Sequence, residues 1–140
     1  LLIDGDLRNP RQHELFKLGN SAGLSGLLAG RPNDAAVVRV PSLLGLSVLP
    51  AGAVPPNPQE LLGRAGFVET LYSLGRDFDV VIVDTPAGAE YADAQTIAVR
   101  AGAAVMLARK NLSSIQNIVA LANSLQQSGA TLVGSILNDV

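Results

Sequence analysis

Residues 79–84 read Asp-Val-Val-Ile-Val-Asp, four β-branched side chains between two carboxylates. A run of this kind is typical of a central strand that is buried on both faces of a parallel sheet. Further strand patterns lie on either side of it, at 1–3, 36–40, 46–49, 103–108 and 131–137. Helical patterns separate them, at 11–18, 24–28, 58–74, 91–100 and from Ser113 or Ser114 onward. This alternation predicts an α/β fold with a mostly parallel sheet and right-handed crossovers.

The composition agrees with such a fold and excludes several kinds of function. Hydrophobic residues make up 48% of the 140 residues and charged residues 16%, as expected where a sheet is covered on both faces. The net charge of −2 gives no basic excess that would indicate a nucleic-acid partner. The absence of cysteine excludes disulfides, thiolate metal sites and cysteine nucleophiles.

Polar residues follow the predicted strands where those strands end. In open α/β sheets, ligands bind outside the carboxyl ends of the strands. The polar residues at these ends are Asp4, Asp6, Arg8, Asp84, Arg109, Lys110, Asn138 and Asp139. Carboxylates gathered at one edge raise one another's pKa, and a Mg²⁺ ion that carries phosphates would relieve the repulsion. An Asp after a strand is also often a loop residue or a helix cap, but two such motifs together favour a site.

The motifs in this order resemble those of the bacterial tyrosine kinases that accompany exopolysaccharide chain-length determinants. Residues 1–8, Leu-Leu-Ile-Asp-Gly-Asp-Leu-Arg, resemble the family's second Walker-type motif, and 81–86, Val-Ile-Val-Asp-Thr-Pro, resemble its Walker B motif. Residues 49–52, Leu-Pro-Ala-Gly, and 55–62, Pro-Pro-Asn-Pro-Gln-Glu-Leu-Leu, resemble the stretch between them. The Walker B motif is shared with the MinD/ParA group of ATPases.

The resemblance implies that ATP and Mg²⁺ are cofactors and assigns roles to five residues. Asp4 and Asp6 would lie beside the γ-phosphate, and one of them, left open here, would act as the base for the tyrosine hydroxyl. Asp84, with Asp4, would hold Mg²⁺. Arg8 would neutralise phosphate or pair with a carboxylate. Asn138 would contact the adenine edge of the nucleotide, or it is an ordinary turn residue.

The resemblance also implies a doubly wound, P-loop NTPase-like fold related to MinD/ParA, with residues 1–140 as a partial nucleotide-binding domain that is incomplete at its N-terminus. A P-loop needs Gly-x-x-x-x-Gly-Lys-Ser/Thr. Neither lysine fits, because Lys17 precedes Leu18 and Lys110 precedes Asn111. The 140 residues alone are therefore expected to bind ATP poorly and to transfer no phosphate.

The implied function is that of an ATP-dependent tyrosine autokinase that regulates exopolysaccharide chain length. Its implied partners are a membrane-embedded chain-length determinant and further copies of itself, at the cytoplasmic side of the inner membrane. One alternative is a MinD/ParA-type positioning ATPase, in which the same aspartates position water. The other is a non-catalytic module that docks the membrane protein.

Three further expectations concern the helices. Tyr72 lies on an apolar helical stripe and is expected in the core, and Tyr91 lies near a helix start. Asn57, followed by Pro58 and with Glu60 three residues on, is typical of a helix N-cap. The last helix is expected to bury one face, made of Ile115, Ile118, Val119, Ala122 and Leu125.

Overall fold

The computed structural model describes residues 1–31 and 35–139. The chain divides into two compact units, the first being Leu1–Pro86 and the second beginning at Ala87. Within the described ranges, no helix combines the length and apolar character needed to cross a bilayer.

The first unit holds a four-stranded sheet and four helices. Its elements are β1 (Leu2–Asp4), α1 (Gln12–Leu15), α2 (Leu24–Leu28), β2 (Val38–Arg39), β3 (Ser47–Leu49), α3 (Pro58–Gly63), α4 (Ala65–Asp77) and β4 (Ile82–Asp84). The strand order is β2-β3-β1-β4. β1 runs parallel to both β3 and β4, whereas β2 is antiparallel to β3. The predicted mostly parallel sheet is thus present, with one short antiparallel strand at its edge.

The core of this unit forms where β1 and β3 meet helices α2 to α4. Seven of its large apolar side chains are fully buried: Ile3, Leu7, Leu24, Val48, Leu49, Leu62 and Phe67. Each such side chain contributes roughly 1.5–3 kcal/mol to folding. They hold β1 at the centre of the unit, and β1 carries Asp4 at its end.

The second unit pairs two parallel strands and two helices. Its elements are α5 (Asp93–Ala101), β5 (Ala103–Arg109), α6 (Ile115–Gln127) and β6 (Thr131–Asn138). Gly102, at φ +84°, ends α5 in the left-handed conformation that favours glycine. Its core joins Ala98, Leu125 and Ala130 to partly buried Met106 and Leu121. The helices and strands predicted at 91–137 are confirmed to within two residues.

Three burial predictions are wrong. Ile82 in β4 is 60% exposed, because β4 stands at one end of the strand order and is not a central strand. Tyr72 is 72% exposed on α4, whose fully buried side chain is Phe67. In α6 the prediction holds for Leu125, which is buried, but Ile115 and Val119 are exposed, because the helix packs through Leu121 and Leu125.

Candidate active site

Parallel pairing sets two carboxylates side by side at the carboxyl edge of the first unit's sheet. Asp4 at the end of β1 and Asp84 at the end of β4 are register partners. The ladder continues one residue further, where the N–H of Gly5 donates to the carbonyl of Asp84 at 2.9 Å. The sequence predicted this edge, because the carboxyl ends of neighbouring parallel strands lie together.

Asp4 is fully buried, and its two carboxylate oxygens differ in their hydrogen bonds. Its Oδ2 accepts the backbone N–H of Gln12 at 3.0 Å. Its Oδ1 is buried and accepts no hydrogen bond from the described residues. Burial raises the pKa of the Asp4 carboxyl, the nearby backbone N–H groups of Gln12 and Asp6 oppose that rise, and the charges of Asp84 and Asp6 add to it. A buried, unpaired carboxylate oxygen destabilises a fold unless a proton or a cation meets it.

Gln12 connects the two carboxylates, and sequence reasoning missed it. As the first residue of α1, it donates its backbone N–H to Asp4, and its Nε2 donates to Asp84 Oδ2 at 2.8 Å. The only signal in the sequence was its place just after Asn9-Pro10, where a turn brings the chain back. That signal does not say where the side chain reaches.

The contacts of Asp6 are those of a loop residue, which is one of the two possibilities for an Asp that follows a strand. Its Oδ1 accepts the backbone N–H of Arg8 at 3.0 Å and that of Asn9 at 2.9 Å. Such a turn reverses the chain between β1 and α1. Sequence reasoning could not separate Asp4 from Asp6, and the structure gives them different surroundings.

Arg8 lines an open cleft of about 570 Å³ whose other wall is the segment that begins α3, residues 56–60. Asn57 lies at the predicted N-cap position, but its side chain makes no capping hydrogen bond. The position is confirmed, and the capping contact is wrong. Its Nδ2 donates instead to Glu60 Oε2 at 3.4 Å. Glu60 also accepts a hydrogen bond from Arg64 at 2.7 Å, which is the main reason why the pKa of Glu60 is lowered.

Asn138 lies in the second unit, at the end of β6. Its register partner is Arg109 on β5, and its carbonyl accepts the N–H of Lys110 at 2.8 Å. The Lys110 ammonium pairs with the Asp139 carboxylate at 2.9 Å, and both side chains are more than half exposed. Of the predicted site residues, Asp4 and Asp84 thus lie side by side in the first unit, whereas Asn138 belongs to the second unit.

The residues at the edge of the first unit fit a Mg²⁺ ion. Asp4 Oδ1 lacks a hydrogen-bond donor among the described residues, and a second carboxylate, that of Asp84, lies beside it. No group of three or more His, Cys, Asp or Glu side chains in 1–31 and 35–139 is arranged to hold a metal. That is compatible with Mg²⁺, which proteins usually hold through one or two carboxylates while water and substrate phosphates complete its shell.

Comparisons with known proteins find several similar sequences. No family model matches the chain. The chain is 36% identical over 140 residues to the tyrosine-protein kinase etk of Escherichia coli and covers 19% of that protein. It is 34% identical to the putative tyrosine-protein kinase CapB of Staphylococcus aureus, covering 60% of it, and 35% identical to a putative tyrosine-protein kinase in the cps region of Klebsiella pneumoniae, covering 19%. All or nearly all of this chain takes part in each match, yet it spans only about a fifth of the first curated relatives.

Solved structures with the same fold are also found. The kinase domain of Escherichia coli tyrosine kinase ETK matches 99% of this chain with a TM-score of 0.94 and 35% identity, and the match covers 55% of that chain. The cell division ATPase MinD of Pyrococcus furiosus matches 98% of this chain with a TM-score of 0.79 and 25% identity, covering 58% of MinD. The predicted α/β fold of the P-loop NTPase type, related to MinD, is therefore confirmed.

Proposed function

We propose that this chain belongs to the bacterial tyrosine kinases and that the full-length protein uses ATP to phosphorylate tyrosine hydroxyls. The observation that carries the proposal is the side-by-side pair of Asp4 and Asp84 at the end of parallel strands. It is supported by identity along the whole chain to proteins named as tyrosine kinases.

Phosphoryl transfer asks the protein mainly to position groups and to offset charge. Asp4 and Asp84 would hold Mg²⁺, which when bound neutralises negative charge on the phosphate oxygens. Arg8, at the wall of the cleft, would add positive charge near the phosphates, and Asn138 would contact the adenine. These assignments of cofactor and residues are proposals.

Between the two candidate bases, the contacts favour Asp4 over Asp6. Asp4 Oδ1 is buried and accepts no hydrogen bond from the described residues, so it stays open to a proton or to Mg²⁺, whereas Asp6 Oδ1 already accepts two backbone N–H groups. Asp6 would then act indirectly, by fixing the turn that leads to α1.

The proposal is tested by incubating the full-length protein with ATP and Mg²⁺ and probing for phosphotyrosine. We expect a signal that disappears in an Asp4→Asn, Asp6→Asn double variant. Separate single variants then identify the base: Asp4→Asn abolishes the signal, and Asp6→Asn lowers it less. Phosphotyrosine that persists in the double variant would contradict the assignment.

A positioning ATPase is the second candidate, because MinD of Pyrococcus furiosus shares the fold over 98% of this chain. In that case the same aspartates would position water rather than a tyrosine hydroxyl. ATP hydrolysis without any phosphotyrosine in the same assay would favour this candidate over the kinase.

We also propose that the kinase regulates exopolysaccharide chain length, with a membrane-embedded chain-length determinant as its partner. It would act as a homo-oligomer on the cytoplasmic side of the inner membrane. The relative in the cps region of Klebsiella pneumoniae supports this setting. We expect an Asp4→Asn strain to export polysaccharide of altered length, and an unchanged length distribution would contradict the proposal.

The 140-residue chain alone is expected to bind ATP poorly, because neither of its lysines lies in a P-loop motif. The proposed activity therefore concerns the full-length protein. Equilibrium dialysis of the purified chain with labelled ATP measures this directly, and micromolar affinity would contradict the expectation.

A further inference from the structure

Gln12 donates hydrogen bonds to both strand-end carboxylates. Its backbone N–H lies 3.0 Å from Asp4 Oδ2, and its Nε2 lies 2.8 Å from Asp84 Oδ2. One contact comes from the main chain and the other from the side chain. The two carboxyl groups, which come from strands 80 residues apart in sequence, are therefore fixed by the same point of the chain.

The chemistry of this bridge leaves the pair able to accept a cation. An amide donates a hydrogen bond without adding a charge, so the negative charge of Asp4 and Asp84 is not offset by Gln12. A lysine or arginine in its place would compete with a divalent cation for the same oxygens. Moreover, Asp4 Oδ1 is buried and receives no hydrogen bond from Gln12 or from any other residue in 1–31 and 35–139.

The position of Gln12 is itself fixed by the turn that precedes it. Asp6 Oδ1 accepts the N–H groups of Arg8 and Asn9, and this turn brings the chain back so that α1 begins beside the strand ends. The contact is thus built by successive elements: strand β1, the Asp6 turn, and the first residue of α1.

We propose that Gln12 is a positioning residue that orients the Asp4 and Asp84 carboxylates for a divalent cation. This inference rests on the proposed function, since it deepens the assignment of Asp4 and Asp84. Hydrogen-bond partners of metal ligands typically account for about ten- to a hundredfold in metal affinity. Removing the Gln12 side-chain amide should therefore weaken metal binding about tenfold.

The test measures Mn²⁺ binding to the full-length protein by electron paramagnetic resonance, in the presence of an ATP analogue that cannot transfer its phosphoryl group. Gln12→Leu keeps the size of the side chain and removes the donor to Asp84, so its dissociation constant for Mn²⁺ should rise about tenfold. Gln127→Leu, the same change at an exposed position at the end of α6, is the matched control and should bind Mn²⁺ like the native protein.

A second variant, Gln12→Glu, tests the inference if Gln12→Leu folds poorly. Gln12→Glu replaces the donor by a third carboxylate beside Asp4 and Asp84, so the metal-free protein should melt at a lower temperature. Saturating Mn²⁺ should restore the melting temperature, because the cation takes the place of the lost donor. A residue with a structural role only would give a loss that metal does not restore.

The outcomes separate this inference from the proposed function. Native Mn²⁺ affinity in Gln12→Leu, or a Gln12→Glu melting temperature that Mn²⁺ leaves unchanged, would overturn the role of Gln12 while the kinase proposal stands. A native protein that binds no Mn²⁺ would overturn both. A tenfold loss in Gln12→Leu with an unchanged control supports the inference.

Discussion

Charged residues stand at the strand ends of both units, but the two sets differ in how they are held. In the first unit, Asp4 is buried and Gln12 bridges it to Asp84. In the second unit, Lys110 and Asp139 follow β5 and β6 and form a pair that is more than half exposed. An apolar strand followed by charged residues therefore does not by itself make a site. Burial and a second layer of hydrogen bonds distinguish the first edge from the second.

The largest effect is expected from Asp84→Asn, which removes the charge of a half-buried side chain next to buried Asp4. In the full-length protein this change should lower the rate of phosphotyrosine formation by about a hundredfold or more, because phosphoryl transfer depends on the charges that surround the phosphates. The exposed Asp79, just before β4, offers the matched control Asp79→Asn, which should keep the native rate. Equal losses in both variants would mean that Asp84 matters no more to the reaction than the exposed Asp79.

The next effect concerns the close packing behind the first edge. A Cβ on Gly23 would lie 2.3 Å from both Pro50 O and Gly52 N, which are backbone atoms that cannot rotate away. Gly23→Ala should therefore destabilise the chain by about 3 kcal/mol. In the second unit, a Cβ on Gly134 of β6 meets nothing within 4 Å, so Gly134→Ala should change stability by less than about 0.5 kcal/mol.

Urea unfolding of both glycine variants measures this difference between the units. The expected result is a clear shift of the midpoint for Gly23→Ala alone. Similar midpoints for the two variants would mean that the packing between residues 23 and 50–52 is not tighter than that of the open strand.

Much of this arrangement follows from the sequence, and the exceptions have physical reasons. The strand positions and the adjacency of Asp4 and Asp84 could be predicted, because apolar runs and parallel pairing fix them. Gln12 could not, because its reach depends on the turn that Asp6 forms. The exposure of Tyr72 could not either, since an apolar stripe on a helix does not reveal which part of it another layer covers.

A smaller effect should follow from the pH dependence of the buried edge. The pKa of Asp4 is raised above its ordinary value, chiefly by burial, so the folded chain binds a proton more readily than the unfolded chain. The contribution of Asp4 is therefore most favourable at low pH and declines as pH rises from about 4 through the raised pKa. Asp4→Asn should remove this decline and stabilise the chain near pH 7 by about 1 kcal/mol.

Urea midpoints between pH 4 and pH 7 check this sign, with the exposed Asp77→Asn as the control. The native and Asp4→Asn chains should converge at the acidic end and separate toward neutrality. If Asp4→Asn is the less stable chain at pH 7, then the carboxylate is stabilised in the fold by contacts beyond Gln12.

The smallest effect is expected at the edge of the second unit. Asp139→Asn removes an exposed ion pair, which is usually worth less than about 1 kcal/mol and is screened by salt. The urea midpoint should hardly move, and the small difference should disappear in high salt. A large loss that persists in high salt would place the second edge in the same class as the first.

The packing around Gly52 has a consequence for the motions of the chain. Asn20 receives the N–H of Gly52 on its Oδ1 at 2.8 Å and donates its Nδ2 to the carbonyl of Gly52 at 3.1 Å, while Leu24 and Ser25 donate to Pro50 and Ala51 at 2.8 Å each. These hydrogen bonds tie the loop at 50–52 to Asn20 and to the first turn of α2. The amide hydrogens that donate them, those of Gly52, Leu24 and Ser25, should exchange with deuterated solvent more slowly than those of an open loop.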